Sequence, residues 1–247
     1  MIVQKQRLDQ ILFNRNLAES KSKAQAMIMA GQVFVEGKMI NKSGFNVNHN
    51  VSIEIKNLGP KWVSRGANKL LTALVKNKII VKNKICIDLG SSTGGFTDVL
   101  IQSGADRVYA VDVGTNQLHE KLKKNNKIIS LEKTNARYLK KDQFEELIDI
   151  MVCDVSFISL KKVIEPNLNL LKKESIIIAL IKPQFESKKN ETKKGVVKDI
   201  IIHQRICDEI SEWFETLYES RVLSIIESPI KGPKGNIEFL ITVKFQK

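Results

Sequence analysis

Apolar positions in the first 55 residues recur at helical spacing and then at strand spacing. Leu8, Ile11 and Leu12, interleaved with Arg7 and Asp9, predict one helix. Ala24, Ala26, Met27, Ile28 and Met29 predict a second, begun at Ser20 or Ser22 and ended by Gly31, with both methionines read as core. The run VFVEGKMINKSG then alternates, which predicts a strand at Val33 to Val35, a turn at Glu36-Gly37, a second strand and a turn at Ser43-Gly44. Val51, Ile53 and Ile55 predict a last short strand. Asn57 to Pro60 punctuates the chain. Beyond it, Leu70, Leu71, Leu74 and Val75 form one face of a helix that Ser64 or Asn68 can cap. Lys69 falls in its first turn, where a cation opposes the helix dipole. A residue set against local electrostatics invites a functional explanation.

From Ile85 the pattern alternates strand and helix, as a parallel sheet requires. The predicted strands are Ile85 to Leu89, Val108 to Val113, Ile128 to Glu132, Asp149 to Val155 and Ser175 to Ile181. Helices are predicted near Thr97 to Ser103, Gln117 to Lys124, Lys141 to Leu147 and Ser159 to Leu171, followed by a longer one from Ile200 to Tyr218. Val222 to Glu227 and Ile237 to Phe245 have no helix between them, so they are expected to pair antiparallel through SPIKGPKGN. The fold class expected is therefore α/β: a Rossmann-like sheet of the methyltransferase variety, parallel with a C-terminal antiparallel hairpin, behind a small N-terminal α+β domain. The boundary is placed between residues 60 and 61, giving domains 1–60 and 61–247.

Composition narrows the partners. The chain has 247 residues and a formal charge of +13, from 40 Lys+Arg against 27 Asp+Glu. Such an excess suits a polyanion, because each neutralised phosphate releases counterions. No apolar run reaches the roughly 20 residues that span a bilayer, and MIVQKQRLDQ has no signal-peptide core, so a cytoplasmic protein without a membrane partner is expected. Cys86, Cys153 and Cys207 show no disulfide or zinc spacing, and His49, His119 and His203 are scattered, so no metal is expected.

The chemistry is expected around ICIDLGSSTGGFTDVL, Ile85 to Leu100: a strand, a glycine loop and a helix. The loop is neither the Walker pattern nor G-x-G-x-x-G. Ligands of open α/β sheets lie at the carboxyl ends of the strands. Asp88, Asp112, Asn135, Asp154 and Lys182 all fall at such ends, and Asp112 lies 24 positions beyond Asp88, near the offset of about 20 at which an acid meets a ribose hydroxyl. A loop too loose for a pyrophosphate and an antiparallel tail together favour S-adenosylmethionine over a nicotinamide cofactor. Asp88 is then expected to hold its methionine end, directly or through water, and Asp112 its ribose.

Two stretches carry a family resemblance. RLDQILFNRNLAESKSKAQAMIMAGQVFVEGKMINKSG resembles the S-four-like RNA-binding module, and VSRGANKL, DLGSSTGGFTDVL, YAVDVGTNQL, TNAR, CDVSFISL, IKPQFE, KGVVKD and SPIKGPKGNIEFL resemble the TlyA family, which joins that module to an FtsJ-like ribose 2'-O-methyltransferase domain. The resemblance covers almost the whole chain. It implies a catalytic tetrad at Lys69, Asp154, Lys182 and Glu238, and methylation of cytidine 2'-hydroxyls in ribosomal RNA or ribosomal subunits. The cofactor contacts expected are Asp88, Gly90, Ser91, Thr93, Gly94, Gly95, Phe96, Asp112, Val113, Asn135 and Asp154, and the RNA contacts Arg7, Arg15, Lys21, Lys23, Lys38 and Arg65. The loop has Ser91 near a position where the family commonly has alanine. Lys182 is the candidate to take or polarise the hydroxyl proton, and whether it removes that proton or only orients the oxygen stays open. Two other readings remain: a membrane-active hemolysin, because the family carries that name, and a non-catalytic RNA-binding assembly factor.

Overall fold

A computed structural model describes residues 5–29, 31–55 and 62–246; the expected punctuation at Asn57 to Pro60 and the boundary beside it lie outside them. The chain forms two compact units, Met1–Lys61 and Trp62–Lys247.

The first unit contains β1 (Lys5–Arg7), α1 (Leu8–Asn14), α2 (Lys21–Met29), β2 (Val33–Val35), β3 (Lys38–Ile40), β4 (Asn46–Asn48) and β5 (Ile53–Ile55). β1 pairs with β4, while β2 lies between β3 and β5, all antiparallel. Leu8, Ile11, Leu12, Ala24, Ile28 and Val33 close one apolar core, in keeping with the helical and alternating spacing. Met29 departs from its expected place in that core and is 65% exposed. It is one residue past Ile28, which α2 turns inward, so 3.6-residue geometry carries it off the buried face.

The second unit is built on a seven-stranded sheet. Its elements are α3 (Ala67–Lys76), β6 (Ile85–Leu89), α4 (Gly95–Gln102), β7 (Arg107–Val111), α5 (Glu120–Lys123), β8 (Ile128–Leu131), β9 (Ile148–Cys153), α6 (Lys161–Ile164), β10 (Leu171–Ile181), α7 (Pro183–Glu186), α8 (Ile200–Glu215), β11 (Arg221–Glu227) and β12 (Phe239–Gln246). The strand order is β11-β12-β10-β9-β6-β7-β8. β6 to β10 run parallel, and β12 is inserted antiparallel between β10 and β11, with Ile178 opposite Thr242. Side chains alternate between two cores, as period-two geometry demands. Ile87, Ile177 and Ala179 face the core of Ile206, Ile210 and Phe214 from α8, whereas Cys86, Ile178 and Leu180 face that of α3 and α4. All three cysteines are buried free thiols.

Three expected helices are corrected. Lys141 to Leu147 makes only one 3-10 turn, Lys141–Gln143, because β9 begins at Ile148 and Phe144 is drawn off to pack edge-on against Tyr109 at 4.8 Å. Ser159 to Leu171 is cut at Pro166 into α6 and a 3-10 segment, Glu165–Leu170, since proline lacks the donor that would continue the helix. There the buried Asn167 amide donates to Ala136 and Val163 carbonyls, both at 2.7 Å. The helix expected at Gln117 to Lys124 is the single turn α5, capped by His119 Nδ1 accepting from Lys121 N at 3.1 Å.

Candidate active site

The glycine loop leaves β6 and turns at Gly90, with φ +84°. A Cβ on Gly90 would lie 2.9 Å from the Asp154 carbonyl oxygen, so the loop meets the end of β9 only because residue 90 lacks a side chain. Gly90 N and Ser91 N both donate to Val111 O, at 2.9 and 3.0 Å, and tie the loop to β7. Gly94, at φ +92°, allows the chain to enter α4, and a Cβ there would stand 2.3 Å from Leu122 Cδ1. Gly94 thus faces α5 and not a cavity, unlike its neighbours in the expected cofactor set.

Two cavities, of about 530 and 250 Å³, meet along this loop and share Gly90, Ser92, Asp154 and Ser156. The larger has Asp112, Val113, Asn135 and Arg137 against an apolar floor that includes Val111 and Val163. Asp112 Oδ2 accepts from Ser92 N at 2.8 Å and Oδ1 from Gly114 N at 2.7 Å. Its carboxylate is thereby aimed, and each oxygen still has a lone pair for a ligand hydroxyl. Asn135 Oδ1 caps the turn after β8 by accepting from Arg137 N at 3.1 Å. Val113 is 68% exposed on the cavity wall.

The smaller cavity is lined by Asp88, Ser91, Thr93, Gly95 and Phe96, and by the ion-paired groups described next. Asp88 is 1% exposed. Its Oδ2 accepts from Thr97 N at 3.0 Å and Thr97 Oγ1 at 2.7 Å, whereas Oδ1 is buried with no hydrogen-bond partner among the described residues. Burial pushes the Asp88 pKa up to about 7; the Thr97 hydroxyl restrains the rise, and the Asp154 and Asp112 charges add to it. A buried carboxyl with one oxygen unserved is suited to a cationic donor.

Lys69, Asp154, Lys182 and Glu238, separated by up to 169 positions, come together at this cavity. Lys69 Nζ is 2.8 Å from Glu238 Oε2 and 3.4 Å from Asp154 Oδ2, and Lys182 Nζ is 2.6 Å from Asp154 Oδ1. Lys182 Nζ also donates to Ser156 Oγ at 3.0 Å. The four form an alternating chain of charge, acid to base to acid to base, with no net charge. Glu238 is fully buried, and its second oxygen takes a long 3.4 Å bond from Gln184 Nε2. The oddity of Lys69 in the first turn of α3 is resolved here, since two carboxylates outweigh the adverse helix dipole.

The sequence reading missed Ser156, Thr97 and Gln184. Ser156 and Gln184 each lie two positions beyond a tetrad member, Asp154 and Lys182, and that offset was the signal available. The expected RNA contacts divide into two kinds. Lys21, Lys23, Lys38 and Arg65 are exposed with no acid partner among the described residues, and Arg7 is exposed but paired. Arg7 is clamped on Asp9, at 3.0 and 2.6 Å, and Arg15 donates to the carbonyl of Val51 at 2.9 Å and to that of His49. Arg15 ties the end of α1 to residues 49–51, whereas the Arg7 pair is local.

A parallel sheet of this order, with one reversed strand inserted beside the edge and a glycine loop after its first strand, defines the methyltransferase class of doubly wound proteins. The chain belongs to the FtsJ-like methyltransferase family, which residues 62–245 match, and residues 6–53 match the S4 domain. It is 42% identical to Hemolysin A of Brachyspira hyodysenteriae over 238 residues, covering 95% of this chain and 98% of that protein. It is 36% identical to the 16S/23S rRNA (cytidine-2'-O)-methyltransferase TlyA of Mycobacterium tuberculosis over 242 residues, covering 97% and 90% respectively. Among solved structures, one described as a hemolysin from Streptococcus thermophilus superposes with a TM-score of 0.73 at 36% identity, over 99% of this chain and 90% of that one.

Proposed function

We propose that this protein transfers a methyl group from S-adenosylmethionine to a ribose 2'-hydroxyl of ribosomal RNA, with cytidine as the target nucleoside. The neutral four-member chain of Lys69, Asp154, Lys182 and Glu238 beside the paired cavities carries the proposal. The names of the relatives supply the substrate. Residues 1–60 would bind RNA through Lys21, Lys23 and Lys38, and residues 61–247 would carry the chemistry. Work on ribosomal RNA would place the protein in the cytoplasm.

The residues fit the cofactor. Asp88 Oδ1 is an orphaned buried acceptor suited to the methionine ammonium. Asp112, on the larger cavity, would hold the ribose, and Asn135 and Val113, which line the same cavity, would contact the nucleoside. Gly90, Ser91, Thr93, Gly95 and Phe96 line the smaller cavity, and Gly94 lets the loop turn. When bound, this cofactor supplies a sulfonium-activated methyl group.

The chain's own task is then to present one oxygen and manage one proton. Lys182 Nζ, held between Asp154 Oδ1 and Ser156 Oγ, orients the 2'-hydroxyl; it first gives its own ammonium proton to water and, as the amine, then receives the hydroxyl proton when the methyl is transferred. Asp154 stabilises the ammonium that results. Lys69, locked by Glu238, fixes the second oxygen of Asp154 so that this carboxylate cannot swing away.

The hemolysin name carried by relatives would imply action on a membrane, and no helix among the described residues is long and apolar enough to cross one. A purely RNA-binding assembly factor would have no use for four mutually paired charges, three of them buried and Asp154 half-buried, at a cofactor-sized cavity. The deciding experiment is transfer of labelled methyl from S-adenosylmethionine to 16S and 23S RNA, free and in subunits, with mapping of 2'-O-methyl sites. Lys182→Ala is expected to lose about 10²- to 10⁴-fold in rate with cofactor affinity retained. No 2'-O-methylation on any RNA or subunit form would overturn the proposal.

A further inference from the structure

Asn236 stands two positions before Glu238 and is 3% exposed. Its side chain joins two loops. Nδ2 donates to the carbonyl of Gly195 and to that of Pro233, both at 3.0 Å, and Oδ1 accepts from Val197 N at 3.3 Å. The amide thus uses both donor hydrogens and its acceptor on backbone, and two of the three bonds cross to the segment between α7 and α8.

That segment is a tight turn. Lys193 and Val196 pair across it, at 3.0 and 3.1 Å, with Lys194 and Gly195 at φ +54° and +78°. Lys193, Lys194 and Lys198 are exposed, and Lys234 on the facing loop donates from Nζ to Lys194 O at 3.2 Å. Val197, at the base of the turn, is 2% exposed, and its carbonyl is 3.0 Å from His203 Nε2. Further back, Glu191 is gripped by Arg205 through two 2.8 Å contacts. The segment is thus fastened at several points along its length.

The facing loop reaches the reaction centre. Pro233 lines the smaller cavity beside Lys69, Lys182 and Glu238. Gly232 N donates to Asn236 O at 2.8 Å, and a Cβ on Gly232 would lie 2.1 Å from Glu238 Oε1. One buried amide therefore bonds both to the loop that lines the cavity and to the turn that carries Lys193 and Lys194.

We propose that Asn236 is a positioning residue that sets the Lys193–Val196 turn against the active-site loop, so that Lys193 and Lys194 contact phosphates of the RNA strand flanking the methylated ribose. This rests on the RNA methyltransferase reading above. Two phosphate contacts on single-stranded RNA carry a log–log salt slope of about 0.7 each. The turn is fixed in advance, so its lysines contribute without an ordering cost on binding.

The test measures kcat and KM for ribosomal RNA at two salt concentrations for wild type, Asn236→Ala, the pair Lys193→Ala with Lys194→Ala, and all three changes together. The lysine pair is expected to raise KM about tenfold and to make its salt slope shallower by about 1.4. Asn236→Ala is expected to raise KM similarly with less than a twofold change in kcat, and the triple variant to be no worse than either, the mark of one coupled unit. Additive effects, or a fall in kcat with KM unchanged, would overturn the inference and make Asn236 a support of Glu238 alone. If Asn236→Ala does not fold, the exposed lysine pair decides, because an unchanged KM there is fatal. Wild-type turnover in the same assay separates the two failures: without it the methyltransferase reading falls, and with it only this inference is at stake.

Discussion

Cofactor affinity should climb with pH between 5 and 7, and Asp88 is the reason. Its burial raises the carboxyl pKa to about 7, so below that pH the empty site holds a neutral acid where the methionine ammonium needs an anion. Binding must then expel a proton, and the apparent dissociation constant scales as one plus ten to the power of the pKa minus the pH. That factor is about 100 at pH 5, about 11 at pH 6 and about 2 at pH 7 when the pKa is about 7. Affinity therefore rises roughly tenfold from pH 5 to 6 and about fivefold from 6 to 7. Above pH of about 8 the ammonium itself titrates and binding weakens again.

Calorimetric titration in buffers of different ionisation heat should count about 0.9 protons released at pH 6, the fraction of Asp88 then protonated, and Asp88→Asn should flatten the profile. The sign carries over to stability. A folded-state pKa raised above the unfolded value means that the contribution is present below about 4 and is lost as pH rises through about 7, by at most about 4 kcal/mol. An affinity constant from pH 5 to 7 with no proton release would refute the role given to Asp88.

Two further outcomes are expected from the geometry. Gly232→Ala places a Cβ 2.1 Å from Glu238 Oε1, which must displace the carboxylate from Lys69; kcat should fall by at least about tenfold, a cost of 1.4 kcal/mol, while the cofactor dissociation constant stays put, and unchanged turnover would show that Glu238 needs no fixed position. Arg7→Ala should release Asp9, whose pKa the Arg7 hydrogen bonds hold down at about 2: the stability that this lowered pKa provides, present above about 4 and lost as pH falls toward 2, should vanish in acid unfolding curves, and an unaltered acid limb would mean that the pair contributes nothing.

Periodicity made most of the sheet legible, because strands buried on both faces read as short β-branched runs such as Ile148–Cys153. The helices of the second half were less so. Pro166 stands inside an apolar run long enough for a helix, and the chain divides there to let Asn167 reach Ala136 O. Candidate site residues at strand ends could be named because a glycine loop fixes where the ligand side of a parallel sheet must be. Partnership could not. That Lys69 answers Glu238 across 169 positions, or that Arg15 is spent on the carbonyls of Val51 and His49, is set by tertiary packing. Charge counts alone treat every arginine as surface.

The insertion of β12 between β10 and β11 has a consequence in time. Glu238 comes 56 residues after Lys182 and just before β12, so a chain still being made possesses its S4 domain, its glycine loop and three of the four charges before it can close the fourth. Domains fold as units from the N-terminus during synthesis. On the function proposed above, an unfinished copy would have the means to hold RNA without the closed four-charge chain, which forms only once β12 is in place.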